Sequence, residues 1–439
     1  MSASTPRHQY AHIIRFTSVR AVRVMVEFLT IYYYTSLVVG LTNLRYDGGT
    51  QIVELYHWPT IVYSAVLNLV FIMLQPISML HSSRVSLNCD EFGALVVIKL
   101  LSGIAYFLAY FSIMCMSWLK RKKIHQLYYK YLALTRRYFT ETMLLDNYEA
   151  VQRAQRIFLK KFCSSVCKAI VVYVNIYHYY TESPCEYVKS LPYVAISLYY
   201  GLLNVQQLIV DVNVILGLLL IDLCLSMLSH TLEEIERDIW LMAKARKVQE
   251  NIFLKNQQML HRKWRGNLNR TVEAIAAEVM HLQSLTHEHL DIYEIPVLFL
   301  LLAVFISLIT MMFNIMAYVA DFGNVQPLKL SFYVFILLAN ISNVMIFYNI
   351  CESLQRTYAR MVNQVYRIGI YASLGSGGYV ERDTLVLSLE MLLMQLRYRE
   401  FRVTVCGLFE IRNRTGMIMI HKIVLNLMYL IQSVVQSIA

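Results

Sequence analysis

Residues 297–320 read VLFLLLAVFISLITMMFNIMAYVA, an unbroken apolar run that contains no charged side chain. A helix needs about 20 mostly apolar residues to cross the hydrocarbon core of a bilayer. Only helices and closed barrels satisfy their backbone polar groups in lipid, and this run is too long and continuous for a barrel strand. The sequence therefore predicts an all-α protein that spans the membrane.

The composition of the whole chain supports this class. Of 439 residues, 57% are hydrophobic and 16% are charged, whereas soluble domains have about 45–50% and about 25%. The eight cysteines show no CxxC spacing, and no nucleotide, zinc-protease or hydrolase motif occurs. His287 and His289 flank Glu288, but a solvated helix face is the simpler interpretation. We therefore predict no enzyme activity, no cofactor and no metal site.

Eight blocks along the chain are candidate spans. They cover about 25–44, 58–80, 93–118, 163–182, 191–228, 293–320, 330–350 and 416–438. Three long polar stretches lie between them, at 119–162, 229–291 and 351–415, and show the helical spacing of apolar residues. Because Leu385, Leu389, Leu392 and Leu396 would otherwise stay uncovered, these stretches are expected to pack together below the membrane.

The basic residues predict the orientation. Residues 1–56 and the three long stretches carry 34 Lys and Arg, whereas the three short loops carry three. Such an excess of Lys and Arg marks the cytoplasmic side of a membrane protein. The net charge of +11 is explained in this way, so no nucleic-acid partner is predicted. If block 25–44 is an interfacial or re-entrant helix, all 34 charges share that side. Seven spans follow, with the N-terminus inside and the C-terminus outside, the reverse of a G-protein-coupled receptor.

Two sequence elements near the C-terminus resemble those of insect gustatory receptors. Cys406-Gly407-Leu408-Phe409 is similar to a short element that precedes the last helix in that family. The family motif of Thr-Tyr, five hydrophobic residues and Gln-Phe has a divergent counterpart at 425–433. There Leu425-Asn426 replaces Thr-Tyr, Gln432 is kept and Ser433 replaces Phe. Two further stretches resemble the family, Ile350-Cys351-Glu352 and the region from Trp58 through Ile61-Val62-Tyr63 to Leu67-Asn68.

The resemblance implies a subunit of a tetrameric, ligand-gated, non-selective cation channel in the plasma membrane of sensory neurons. Its partners would be a small-molecule tastant, membrane lipid, and identical or sister subunits in a homo- or heterotetramer. A G-protein-coupled receptor and a multi-pass transporter are the alternatives. Whether the tastant is bitter, a sugar or another compound stays open.

The predicted topology and the family resemblance together divide the chain into four parts. They are a cytoplasmic N-terminus (1–56) with the interfacial helix, a ligand-binding bundle of six spans (57–350), a cytoplasmic helical anchor (351–415) and a pore-lining seventh helix (416–439). Cys89 and Cys185 would lie in two outside loops, either as a disulfide or as two unpaired thiols.

The last block carries a polar stripe that suits a pore. Lys422, Asn426, Tyr429, Ser433 and Gln436 recur in steps of three and four and so share one helical face, with Gln432 beside it. Such a stripe faces protein or water, and a helix–helix interface is the alternative. With the resemblance, Tyr429, Gln432, Ser433 and Gln436 become candidate pore residues. Tyr429 or Val435 could form the constriction, or the subunit could contribute asymmetrically to a mixed channel.

Aromatic and amide residues in the outer halves of the spans are candidate ligand contacts. The candidates are Tyr177, Tyr200, Asn204, Gln207, Asn314 and Tyr333. An interfacial aromatic belt is the alternative for the tyrosines. Asp211 and Asp222 share a face of the fourth span, and Lys99 and Lys168 are their candidate ion-pair partners. Asp222 is also expected to lie close to solvent at the cytoplasmic interface.

The predicted topology can be tested on cells. An epitope tag after Ala439 should bind antibody on intact cells, whereas a tag before Met1 should bind only after permeabilisation, because the basic stretches hold the N-terminus inside. A C-terminal tag that stays hidden until permeabilisation would contradict the seven-span arrangement.

Overall fold

The computed structural model describes residues 33–41, 43–47, 52–88, 93–182, 191–248, 255–320, 327–374, 384–398, 401–422, 425 and 429. Nearly all of these residues are helical. Within the described ranges the helices are α1 (Trp58–Asn88), α2 (Gly93–Leu119), α3 (Arg121–Tyr138), α4 (Glu141–Asp146), α5 (Tyr148–Glu182), α6 (Leu191–Val248), α7 (Lys255–Ala320), α8 (Pro327–Leu374) and α9 (Thr384–Tyr398). A last helix, α10, covers 413–422, and residues 425 and 429 are also helical.

The described residues also include two short antiparallel hairpins. Strand β1 (Arg45–Asp47) pairs with β2 (Ile52–Glu54), with Tyr46 opposite Val53. Strand β3 (Thr404–Val405) pairs with β4 (Phe409–Glu410) just before α10. The second hairpin turns at Cys406 and Gly407, which have φ of 50° and 63°. The Cys-Gly-Leu-Phe element of the sequence therefore forms this turn.

Five described helices are long and apolar enough to cross a membrane. These stretches are Trp58–Leu80, Leu100–Leu119, Val194–Met242, Lys263–Ile315 and Leu330–Ser373, and each contains or overlaps one predicted span. The predicted span 163–182 is the C-terminal part of α5, whose N-terminal half is charged. Most of the predicted seventh span, 416–438, lies outside the described residues.

The described part of block 25–44 is a short helical stretch at 33–38 followed by a turn. This N-terminal segment forms hydrogen bonds with three helices. Ser64 Oγ donates to Gly40 O at 2.6 Å, and Gln206 Nε2 donates to Val39 O at 2.8 Å. The Asn43 side chain in turn donates to Ser117 O at 3.0 Å. The segment is thus fixed against α1, α6 and the end of α2, and its interfacial character stays a prediction.

Three helices are far longer than a bilayer is thick. The lengths of α6, α7 and α8 are 58, 66 and 48 residues, which at 1.5 Å per residue means about 70–100 Å, against a hydrocarbon core of about 30 Å. The extensions of α7 and α8 pack against α9. All four leucines predicted to be covered, Leu385, Leu389, Leu392 and Leu396, are buried there. The expected packing of the polar stretches is confirmed, while their cytoplasmic location stays a prediction.

Helix α6 lies at the centre of the molecule and contacts α2, α5, α7 and α8. Residues on every side of its middle turns are buried, including Leu218, Leu219, Ile221 and Leu225. A helix that is apolar all round is expected in such a position. The core therefore follows this helix along most of its length.

A close contact joins α6 to α7 at His289. The buried His289 ring lies between Val214 O, 3.2 Å from Nε2, and the Tyr131 hydroxyl, 2.9 Å from Nδ1. A carbonyl only accepts, so Nε2 carries the hydrogen and Nδ1 accepts from Tyr131. The expectation of a solvated face is therefore wrong for His289, because the ring fills the space above Gly217.

Substituting Gly217 tests this contact. A Cβ there would lie 2.4 Å from His289 Cε1 and 2.7 Å from the Tyr131 hydroxyl oxygen. Gly217→Ala should destabilise the protein by about 1–3 kcal/mol through overpacking, measured as a lower Tm of the detergent-solubilised protein. Gly369→Ala is the matched control, because its Cβ meets nothing within 4 Å. Equal Tm values for the two variants would contradict the packing described here.

Candidate ligand site

A cavity lies among five helices, α2, α5, α6, α7 and α8. Its free space is about 640 Å³ when the open solvent at its mouth is counted. Its polar lining residues are Tyr106, Lys168, Asn204, Gln207, Asp211 and Asn343. Its apolar walls include Leu208, Leu300, Leu301, Val304, Val344 and Phe347. An apolar pocket with a few polar groups is the usual form of a site for a small organic molecule.

Two predicted ligand contacts, Asn204 and Gln207, line this cavity. They are three residues apart on α6 and so lie on the same face. Asn204 Nδ2 donates to Tyr200 O at 3.0 Å, and Gln207 Nε2 donates to Tyr106 O at 3.1 Å. These bonds fix the orientation of both amides at the cavity wall.

The other four predicted contacts lie elsewhere. Tyr200 packs beside the buried cluster of Phe71, Tyr110, Tyr199 and Leu203, and its hydroxyl accepts from Ser78 Oγ at 3.3 Å. Tyr177 is 69% exposed on α5, as an aromatic belt residue would be. Asn314 is buried in α7, and Tyr333 is half-buried in α8. None of the four is among the residues that line the cavity.

The cation that pairs with Asp211 is Lys161, which was not among the predicted partners. Its ammonium group donates to Asp211 Oδ2 and, at 3.1 Å, to Asn343 Oδ1. Its side chain is 1% exposed. Lys99 and Lys168 were the predicted partners, because Lys161 precedes the apolar block at 163–182. The available signal was its spacing of seven residues from Lys168, which places both on one face of α5.

Asp222 differs from its prediction as well. It is buried, and it accepts from Ser353 Oγ at 2.9 Å and from Thr357 Oγ1 at 3.4 Å, both on α8. The expectation of a solvated interfacial carboxylate is therefore wrong. The reason is that α8 packs along α6 beyond the predicted limit of the membrane spans.

The start of α10 is attached to α8 close to the cavity. Glu352 Oε2 accepts from the backbone N–H of Asn413 at 2.9 Å, and Asn413 Nδ2 donates to Asn349 Oδ1 at 2.6 Å. A carboxylate at a helix N-terminus pairs with a donor that has no partner within its helix. One turn back along α8, the Tyr348 ring packs against Gly416.

Of the candidate pore residues, only Tyr429 lies within the described part of the chain. It is helical and 69% exposed. Gln432, Ser433 and Gln436 lie outside the described residues, as does Val435, and so do Cys89 and Cys185. The pore assignment therefore stays a prediction.

A family model described as 7tm Chemosensory receptor matches residues 29–437. The chain belongs to this family. It is 21% identical to "Putative gustatory receptor 58c" of Drosophila melanogaster over 418 residues, covering 91% of this chain and 96% of that protein. These matches agree with the resemblance seen in the C-terminal motifs.

The fold is similar to that of the insect olfactory receptor OR5 from Machilis hrabei. The TM-score is 0.62 at 10% identity, covering 94% of this chain and 99% of OR5. The structure of OR5 in complex with eugenol gives the same TM-score and identity, with 93% and 98% covered. The predicted all-α, multi-pass membrane fold of this receptor family is thereby confirmed, and the side on which each terminus lies stays a prediction.

The Lys161–Asp211 pair can be tested by unpairing it. Lys161→Met should destabilise the protein by about 1–3 kcal/mol, because it removes the ammonium group that donates to the partly buried Asp211 carboxylate. The double variant Lys161→Met/Asp211→Asn should recover most of the loss. The measurement is the Tm of the purified protein, and a double variant no more stable than Lys161→Met would exclude the pair as the cause.

Proposed function

We propose that this chain is a gustatory receptor subunit of a ligand-gated, non-selective cation channel, which opens when a small tastant fills the cavity. The observation that carries the proposal is the position of α8. Asn343, Val344 and Phe347 of α8 line the cavity, and Tyr348 and Glu352 contact the start of α10. Fewer than three helical turns of one rigid helix therefore separate the cavity from the predicted pore helix.

This arrangement supplies a route from binding to gating. A ligand shifts a conformational equilibrium only by its difference in affinity for the two states. The cavity wall is made by five helices, so a ligand that prefers one spacing of these helices also selects one position of α8. Glu352 then moves with α8, and with it the first turn of α10. The predicted polar stripe with Tyr429, Gln432, Ser433 and Gln436 would respond as the gate.

Several observations support the assignment. The chain belongs to the chemosensory receptor family, and OR5, whose fold it shares, has been solved with the small molecule eugenol. The proposed receptor works in the plasma membrane of sensory neurons, with lipid around it, as a homo- or heterotetramer with other gustatory receptors. Neither an enzymatic step nor a nucleic-acid partner is needed for this role.

The experiment is patch-clamp recording from cells that express the chain, alone and with sister receptors. Tastant-evoked cation currents should persist when the pipette contains a non-hydrolysable GDP analogue, because the current passes through the receptor itself. Currents that vanish with the analogue would favour G-protein coupling, and uptake without current would favour a transporter.

A pore variant tests the second half of the proposal. Gln432→Ala should change unitary conductance or cation selectivity, because Gln432 is predicted to lie beside the polar face of the last helix. Leu427→Ala, on the opposite apolar face, is the matched control and should leave both properties unchanged. Identical conductance and selectivity in wild type and Gln432→Ala would remove Gln432 from the pore.

A further inference from the structure

The cavity among α2, α5, α6, α7 and α8 holds more positive than negative charge. Its charged lining residues are Lys168 and Asp211. Asp211 is already paired with Lys161, whose ammonium group lies behind it and also donates to Asn343. Two lysines thus share one carboxylate, and the excess is one positive charge.

The excess charge lies on Lys168. This residue is 93% buried, at 7% exposure, and lines the cavity from α5. Among the residues that the structure describes, its ammonium group has no hydrogen-bond partner, whereas that of Lys161 has two. An ammonium group withdrawn from water without a partner is costly. A counter-charge from outside the chain would remove that cost.

We propose that the cavity binds a small organic carboxylate whose anionic group pairs with Lys168. Its apolar body packs against the apolar lining residues, among them Leu300, Val304 and Phe347. Asn204 and Gln207 stand beside the charged end as hydrogen-bonding groups. The inference deepens the proposed function by naming the class of ligand, and it rests on that function only for its link to gating.

Other charge types fit the cavity less well. An amine would meet Lys168, while the one carboxylate that could attract it is neutralised by Lys161. A neutral ligand would leave the buried Lys168 ammonium group with no counter-charge except Asp211, which already pairs with Lys161. A dianion would exceed the single unmatched positive charge. A monoanion with an apolar body is the one class that satisfies both the charge and the walls.

Binding to the purified full-length protein tests the ligand class directly. The probes are 3-phenylpropionate, 3-phenylpropanamide and 3-phenylpropylamine, which share one skeleton and differ in charge. Titration calorimetry should show that the carboxylate binds at least about 10-fold more tightly than the other two, as expected for a charge-assisted bond. An amide or amine that binds as tightly as the carboxylate would overturn the proposal.

Two variants assign the preference to Lys168. Lys168→Gln should abolish the 10-fold preference for 3-phenylpropionate while leaving binding of the amide unchanged, and Lys168→Arg should keep the preference because it keeps the charge. Lys168→Gln removes an unpaired buried charge, so the Tm of the ligand-free variant should equal or exceed that of wild type. An unchanged preference in Lys168→Gln overturns the proposal. If that variant does not fold, the three probes on wild type decide alone.

The same chemistry could come from a tastant in solution or from a fatty acid of the bilayer. Mass spectrometry of the purified protein separates the two. A fatty acid that copurifies with wild type and is missing from Lys168→Gln identifies the membrane as the source. Binding of 3-phenylpropionate to protein that carries no lipid-derived acid identifies solution as the source. Either result supports a carboxylate site at Lys168.

Failure of this inference is distinguishable from failure of the proposed function. Charge-selective binding without any evoked current would leave the carboxylate site standing and overturn the channel assignment. Currents evoked by neutral tastants, together with equal affinities for the three probes, would overturn the carboxylate site and leave the channel assignment standing.

Discussion

The buried ammonium group of Lys161 joins three of the five helices that line the cavity. It belongs to α5, and its partners Asp211 and Asn343 belong to α6 and α8. In a helix bundle surrounded by lipid, apolar packing alone does little to determine which helix faces pair, because the hydrocarbon tails are as apolar as the side chains. A buried polar group is different, since it requires particular partners at a particular place. This pair therefore fixes how α5, α6 and α8 face one another.

The sequence predicted the fold well where one local property decides it. Long apolar runs mark α1, α2, α6, α7 and α8, and heptad-like spacing marks the buried face of α9. Partners that are far apart in the chain were missed. Lys161 precedes its apolar block, and the contact of His289 with Gly217 joins residues on different helices. Tyrosines suit a pocket and an interfacial belt equally, so residue type could not separate Tyr177 from a ligand contact.

The position of α8 unites the separate observations. Its surface contributes to the cavity wall through Phe347, receives Gly416 of α10 at Tyr348, and carries Ser353 and Thr357 to the buried Asp222 of α6. Further along, Arg367 Nε lies 2.7 Å from Glu236 Oε1 of α6. The polar contacts between α6 and α8 thus continue from the cavity into the helical extensions. If α8 moves along α6, these polar contacts either all stay formed or all break. Helix α8 is therefore expected to have two discrete positions relative to α6 rather than a continuous range of positions.

The N-terminal segment at 33–44 supplies acceptors to side chains that are buried in other helices. Ser64 and Gln206 each donate to one of its carbonyls, and Asn68 donates to Gly40 O at 3.3 Å. A shortened receptor that began at the first long helix would keep the five long apolar helices yet remove the carbonyls to which these side chains donate. The stretch ahead of the bundle is therefore an internal part of the fold, so fusion or truncation points belong upstream of it.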